Sequence, residues 1–238
     1  MSDDEQGRRD VGAARARATS PVAGAVAGML FALLFSASLV IIGTTITALP
    51  RDTGAWLASG ASTFRFAIGL IPFAGLFFLW FIAVARQRLG SLEDQFFGTV
   101  FLGSGLLFLA LVFCAAASAG AIIASFAANP TGFAGSSTYL YARNVYSEIF
   151  FVYALRMAGV FQISGATLWI RTGVMPRWVA FITYAAAAVL LFTVTTSIWI
   201  VLLFPAWVFF VSVYILATHL RTRRAHGQAG HDGMPTGT

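Results

Sequence analysis

The sequence predicts an all-α fold, a polytopic transmembrane bundle of six spans with both termini cytoplasmic. Three observations predict it. Hydrophobic residues make up 58% of the 238 and charged residues 10%, outside the range of soluble globular chains. The apolar residues fall in runs of roughly 20 or more, the length a helix needs to cross a hydrocarbon core of about 30 Å. The basic residues gather in alternate connections, as the positive-inside rule requires.

The elements follow in order. Residues 1–20, MSDDEQGRRDVGAARARATS, mix acids with Arg8, Arg9, Arg15 and Arg17 and read as a disordered polar tail. The first span covers about 22–48. That run is too long for a signal-peptide core of ~7–15 residues, and its Gly24 and Gly28 offer a face that another helix can approach closely. Pro50 to Gly54 breaks the run, with Trp56 expected at headgroup level. The second span covers about 63–85 and is kinked at Pro72. A charged loop follows, in which Ser91 and Asp94 mark a helix start.

The third span covers about 96–128. Its second half, Cys114 to Ala121, is almost all small residues, which places it at the centre of the bundle. Asn129 to Thr138 is a connection rich in turn formers. Tyr139, Tyr141 and Tyr146 then suit a membrane interface. The fourth span covers about 145–170. Residues 178–220 are too long for one span and divide at the cluster Thr193, Thr195, Thr196 and Ser197. This gives a fifth span at about 178–195 and a sixth at about 198–219, kinked at Pro205, with Ser197 as N-cap. The membrane domain is thus 21–220, and 221–238 form a second disordered tail.

Six spans place Arg8, Arg9, Arg15, Arg17, Arg86, Arg88, Arg171, Arg177, Arg221, Arg223 and Arg224 on one side. Arg51, Arg65 and Arg143 fall on the other. This asymmetry sets the first side as cytoplasmic. An odd number of spans scatters the charges.

Composition excludes several chemistries. All 15 basic residues are Arg, so lysine Schiff-base chemistry is impossible. The single cysteine, Cys114, forms no intramolecular disulfide and no multi-cysteine metal site. His219, His226 and His231 lie at or beyond the end of the last span, which excludes bis-His haem and a histidine relay within the membrane. Paired intramembrane carboxylates are absent, as are the zincin, P-loop and nucleophile-elbow motifs. The short basic tails lie beside spans and lack nucleic-acid-binding motifs, so no nucleic acid is expected as a partner. No cofactor or metal site is expected, and no residue-level repeat relates the two halves.

One stretch departs from the apolar pattern. The fourth span carries Arg156 near its middle, with Glu148 and Gln162 on either side. A central Arg costs ~2.5–3.5 kcal/mol on insertion scales and marks a functional site by default. At 3.6 residues per turn Glu148 and Arg156 project about 80° apart and about 12 Å along the axis, too far for a direct bond. Glu148, Gly159, Gln162 and Ala166 fall on one stripe, with Arg156 at its edge. In the functional reading the stripe lines a cavity in which Arg156 binds an anion or a lipid headgroup. In the structural reading Arg156 bonds carbonyls exposed by Pro72 or Pro205, or snorkels along the bundle, and Gln162 bonds a neighbouring helix.

From FQISGATLWIRTGVMPRWVAFITYAAAAVLLF through LLFPAWVFFVSVYIL the chain resembles uncharacterised multispan membrane proteins of actinobacteria. Arg171-Thr172-Gly173, Pro176-Arg177-Trp178 and Pro205-Ala206-Trp207 carry the resemblance over Val160 to Leu216. It implies a bacterial inner-membrane setting and no particular activity. The turn has its own logic: a Gly stops one helix, a Pro starts the next and two Arg hold the hairpin inside.

The expected function is that of an integral membrane protein without a catalytic centre, structural, regulatory or partner-binding, embedded in the lipid bilayer with a helix–helix partner or as a homo-oligomer. The alternative is a transporter of a small solute, anion or lipid that uses Arg156, Gln162 and Glu148. An intramembrane enzyme ranks third. A transporter requires a midplane cavity walled by Arg156. A partner-binding protein requires a closed core and an outward small-residue face such as Gly24 and Gly28.

Overall fold

The computed structural model describes residues 20–46, 54–89, 95–173, 175–193 and 197–229, and every regular element among them is helical. Helix α1 is Pro21–Thr45, α2 Leu57–Leu89 and α3 Gln95–Ala128. Two short helices follow, α4 Pro130–Phe133 and α5 Ser137–Ser147. The chain then runs through a π-helical segment, Glu148–Ala154, directly into α6, Leu155–Thr172. Helices α7, Arg177–Phe192, and α8, Ile198–Ala229, complete it. Five helical stretches are long and apolar enough to cross a membrane: α1, residues 57–86 of α2, residues 96–128 of α3, the continuous stretch 137–172, and residues 198–221 of α8. The 16 residues of α7 make a shorter apolar helix.

Local chemistry sets the ends. The Ser20 hydroxyl accepts from the Ala23 N–H and Pro21 occupies the first turn, so α1 begins where a missing proline N–H costs nothing. Gly173 ends α6 in the left-handed conformation, φ 65°, and Pro176 stands immediately before α7. Asn129 and Ser136 cap α4 and α5 with side-chain oxygens accepting from Gly132 and Tyr139 N–H. The stretch read as a turn-rich connection is therefore largely helical. Ser197 directly precedes α8, and its carbonyl accepts from the Ile200 and Val201 N–H groups.

Several boundaries are corrected. The second helix starts at Leu57 rather than near 63, and the fourth stretch at Ser137 rather than near 145. The last helix continues to Ala229, through residues expected to begin a disordered tail. Tyr139 is buried within the protein. It packs edge-on against Phe133, and its hydroxyl accepts from Trp56 Nε1 at 3.1 Å. Trp56 is thus tied to α5 through its indole N–H. The tail 1–19, the break at 50–53 and the helix start at Ser91 and Asp94 lie outside the described residues.

The centre of the bundle is aromatic. Each of the five long stretches places a fully buried phenylalanine there: Phe31, Phe78, Phe108, Phe161 and Phe204. The Phe78 ring meets the other four, with centroids 4.6, 5.4, 5.4 and 5.8 Å away. Offset, tilted and edge-on contacts at these separations are the favourable geometries for aromatic pairs.

Helix α1 is clasped by α2 and α8. A Cβ at Gly24 would fall 2.5 Å from Val84 Cγ1, and one at Gly28 would overlap Ser212 Oγ and the Phe81 ring. The two glycines are buried and used within the chain, so they form no outward face. Gly43 lies against Ile198 and Gly28 against Ser212, so α1 and α8 run antiparallel. Pro21, Gly24 and Ile215 line one crevice at the end where α1 begins. The small residues of α3 divide. Ala115 and Ala119 are buried, whereas Cys114, Ala117, Ala121, Ala124, Ser125 and Ala128 face outward at helical spacing. The expectation that this stretch is central therefore holds for one of its faces only.

Removing the Phe78 ring leaves a void of roughly 100 Å³, which at ~24 cal/mol per Å³ costs about 2.4 kcal/mol. Thermal unfolding in detergent should show Phe78→Ala clearly destabilised. Phe66→Ala, on the same helix but at a position 62% exposed, should unfold close to wild type.

Candidate functional site: a charged π-helical segment

Arg156 lies two residues beyond the π segment and is half-buried. Its Nη1 donates to the Val152 carbonyl oxygen at 2.8 Å. Helical side chains lean toward the N-terminus, and this bond holds the guanidinium in that direction, toward the end of the bundle where α5 lies. A carbonyl of Arg156's own helix is thus the acceptor, in place of one exposed by Pro72 or Pro205. Among the described residues no carboxylate lies within ion-pair distance of Arg156, and Glu148 has neither an ion pair nor a hydrogen bond from its side chain.

The π segment changes which residues share a face. The Leu155 N–H bonds to the Phe150 carbonyl, five residues back. Such a turn absorbs one extra residue, which rotates everything after it by about 100° relative to an unbroken α-helix. The offset between Glu148 and Arg156 falls from about 80° to about 20°. Glu148 meanwhile leaves the Gly159, Gln162 and Ala166 stripe. Exposure agrees: Glu148 is exposed and Arg156 half-buried, while Gly159, Gln162 and Ala166 are buried. The three polar residues singled out in the sequence therefore do not meet. Two share an outer face, and the third points into the protein.

Gln162 is fully buried, and among the described residues neither its Oε1 nor its Nε2 has a hydrogen-bond partner. Helix α7 packs along the same helix. One turn earlier, a Cβ at Gly159 would meet Leu191 and the Ala187 carbonyl. Five residues later, Thr167 Oγ1 shares a 2.7 Å hydrogen bond with the Tyr184 hydroxyl. Ser212 Oγ is likewise buried without a partner, beside Gly28. Other polar groups that sequence reasoning missed are tied between helices. Ser38 Oγ donates to the Ala67 carbonyl at 2.8 Å, and Trp207 Nε1 to Thr183 Oγ1 at 2.8 Å. At the opposite end, the Arg171 guanidinium sits 4.5 Å from the centroid of the Phe97 ring, joining the end of α6 to the start of α3.

Compared with protein-family models, curated proteins and solved structures, the chain matches none.

A buried carboxamide without partners costs ~1–3 kcal/mol. Gln162→Met keeps the length and removes the donors and acceptor, so this variant should unfold at or above the wild-type temperature. A marked loss of stability would mean that the carboxamide holds a bound water or ligand.

Proposed function

We propose that this chain is a six-span protein of a bacterial plasma membrane, with both termini cytoplasmic, whose role is to bind another transmembrane helix rather than to catalyse a reaction. The carrying observation is the outward face of α3. Cys114, Ala117, Ala121, Ala124, Ser125 and Ala128 present small side chains at helical spacing. Helix association within lipid depends on such close backbone approach, because lipid tails are as apolar as leucine. The bundle's own centre is occupied by the phenylalanine cluster, so this face is free to bind outward.

The topology rests on two supports. Helix α7 spans about 24 Å at 1.5 Å per residue, short of a full hydrocarbon core but sufficient with local thinning. The antiparallel arrangement of α1 and α8 brings residues 21 and 215 to one end. In the proposed topology the arginine-rich connections lie at that end, and the positive-inside rule supports reading it as cytoplasmic. The competing reading, transport of a small solute, anion or lipid, draws on the unpartnered carboxamide of Gln162.

Cys114 is the chain's sole cysteine and is exposed on the α3 face, so it serves as a built-in probe. Copper-phenanthroline oxidation in vesicles should give a disulfide-linked dimer, and Ala121→Trp should abolish it. A monomeric mass in nanodiscs, with no cross-link and no co-purifying membrane protein, would sink the reading. Orientation is tested separately: a C-terminal green fluorescent protein fusion should fluoresce, and a C-terminal alkaline phosphatase fusion should be inactive.

A further inference from the structure

The two charges on the outer face of the 137–172 stretch ask for an explanation that partner binding does not supply. The structure gives Arg156 one acceptor, the Val152 carbonyl. A guanidinium has five N–H donors in a planar fork suited to bidentate bonding of a phosphate. Glu148 is exposed, has no ion pair among the described residues, and lies on nearly the same face once the π turn is counted. It lies about 10–12 Å farther along the axis, toward the polar end of the stretch, so the two charges do not neutralise each other. Tyr153, 58% exposed and one turn before Arg156, adds a hydroxyl-bearing ring between the two charges along the axis.

We propose that Arg156 and Glu148 form a site for a phosphate ester that also carries an ammonium group, the chemistry of a phosphoethanolamine headgroup. In a zwitterionic phospholipid the phosphate joins the glycerol and the amine lies two carbons farther from the hydrocarbon. The order of charges on the helix is complementary: the cation deeper in the apolar stretch, the anion toward water. Arg156 holds the phosphate through the N–H groups not used by Val152, and Glu148 accepts from the ammonium. The π turn is what brings the two onto one face. An unbroken α-helix would turn Glu148 toward the stripe of Gly159 and Gln162 instead. The inference does not rest on the partner-binding reading and survives its failure.

The test is thermal unfolding of the full chain in detergent, followed by the fluorescence of its six tryptophans. The additives are phosphatidylethanolamine, phosphatidylglycerol with the same acyl chains, and soluble phosphoethanolamine. Phosphatidylethanolamine should raise Tm more than phosphatidylglycerol does. Glu148→Gln, at an exposed position, should fold normally and lose that preference while keeping the phosphatidylglycerol response. Arg156→Gln should lose the response to both lipids. Should that variant fail to fold, Arg156→Lys carries the test, and a reduced response is expected because the bidentate fork is gone. Stabilisation by the lipid alone identifies the ligand as a bilayer lipid, and an equal shift with soluble phosphoethanolamine identifies a free ligand of the same chemistry. An undiminished lipid response in the Arg156 variants, or a wild-type response to phosphatidylglycerol that equals or exceeds that to phosphatidylethanolamine, overturns the proposal.

Discussion

The fold depends on five rings meeting at one point. Phe78 touches Phe31, Phe108, Phe161 and Phe204, and these five residues come from the five long helical stretches. In lipid the hydrophobic effect does not drive helices together once they are inserted, so complementary shape and a few hydrogen bonds must do so. Large flat rings supply much contact area with few rotatable bonds. Glycines do the reverse on α1, where Gly24 and Gly28 make room for Val84 and Phe81 of α2 and Ser212 of α8. Ser38 to Ala67 and Trp207 to Thr183 then pin α1 to α2 and α8 to α7. A second cluster, with Phe64, Phe133 and Tyr139, closes the end away from the residue-21 crevice.

The π segment is the main departure from this regular packing. It falls at Glu148–Ala154, inside the stretch that already stood out by its charge. By absorbing one residue it takes Glu148 off the stripe of Gln162 and onto the face of Arg156. Gln162 turns inward, and Glu148 and Arg156 turn outward. It also supplies the Val152 carbonyl that takes Arg156's first hydrogen bond. π segments occur often at functional sites because they re-aim side chains at modest cost to the backbone ladder. Here the re-aimed group is Glu148, which moves onto the face of Arg156.

The existence of the helices was legible, because an apolar run of the right length has few alternatives in water or in lipid. Their inward faces were not. In a soluble helix the buried side is marked by hydrophobic periodicity. In these helices lipid and core are both apolar, so Phe66 and Phe73 look like Phe78 until the fold sorts them. Gly24 and Gly28 were legible as a close-approach face, but not which helices would use it. The 129–147 region misled because Asn129 and Ser136 read equally well as turn formers and as helix caps, and the caps prevail. The shared stripe of Glu148 and Gln162 read from the sequence is overturned by the π segment. Nothing in EIFFVYA announces a π turn, and the angular argument for a stripe assumed 3.6 residues per turn throughout.

The central claim is that the five-helix junction is closed, with rings where a transport path would run. It is tested by introducing cysteine at Ala74 or Ala158, small and fully buried residues of the same cluster, in a Cys114→Ser background. The thiols are then challenged in vesicles with a membrane-impermeant, water-soluble reagent. The account predicts no modification at either position until the protein is unfolded. Labelling of the native protein from either side would contradict it and would show a water-filled path through the centre.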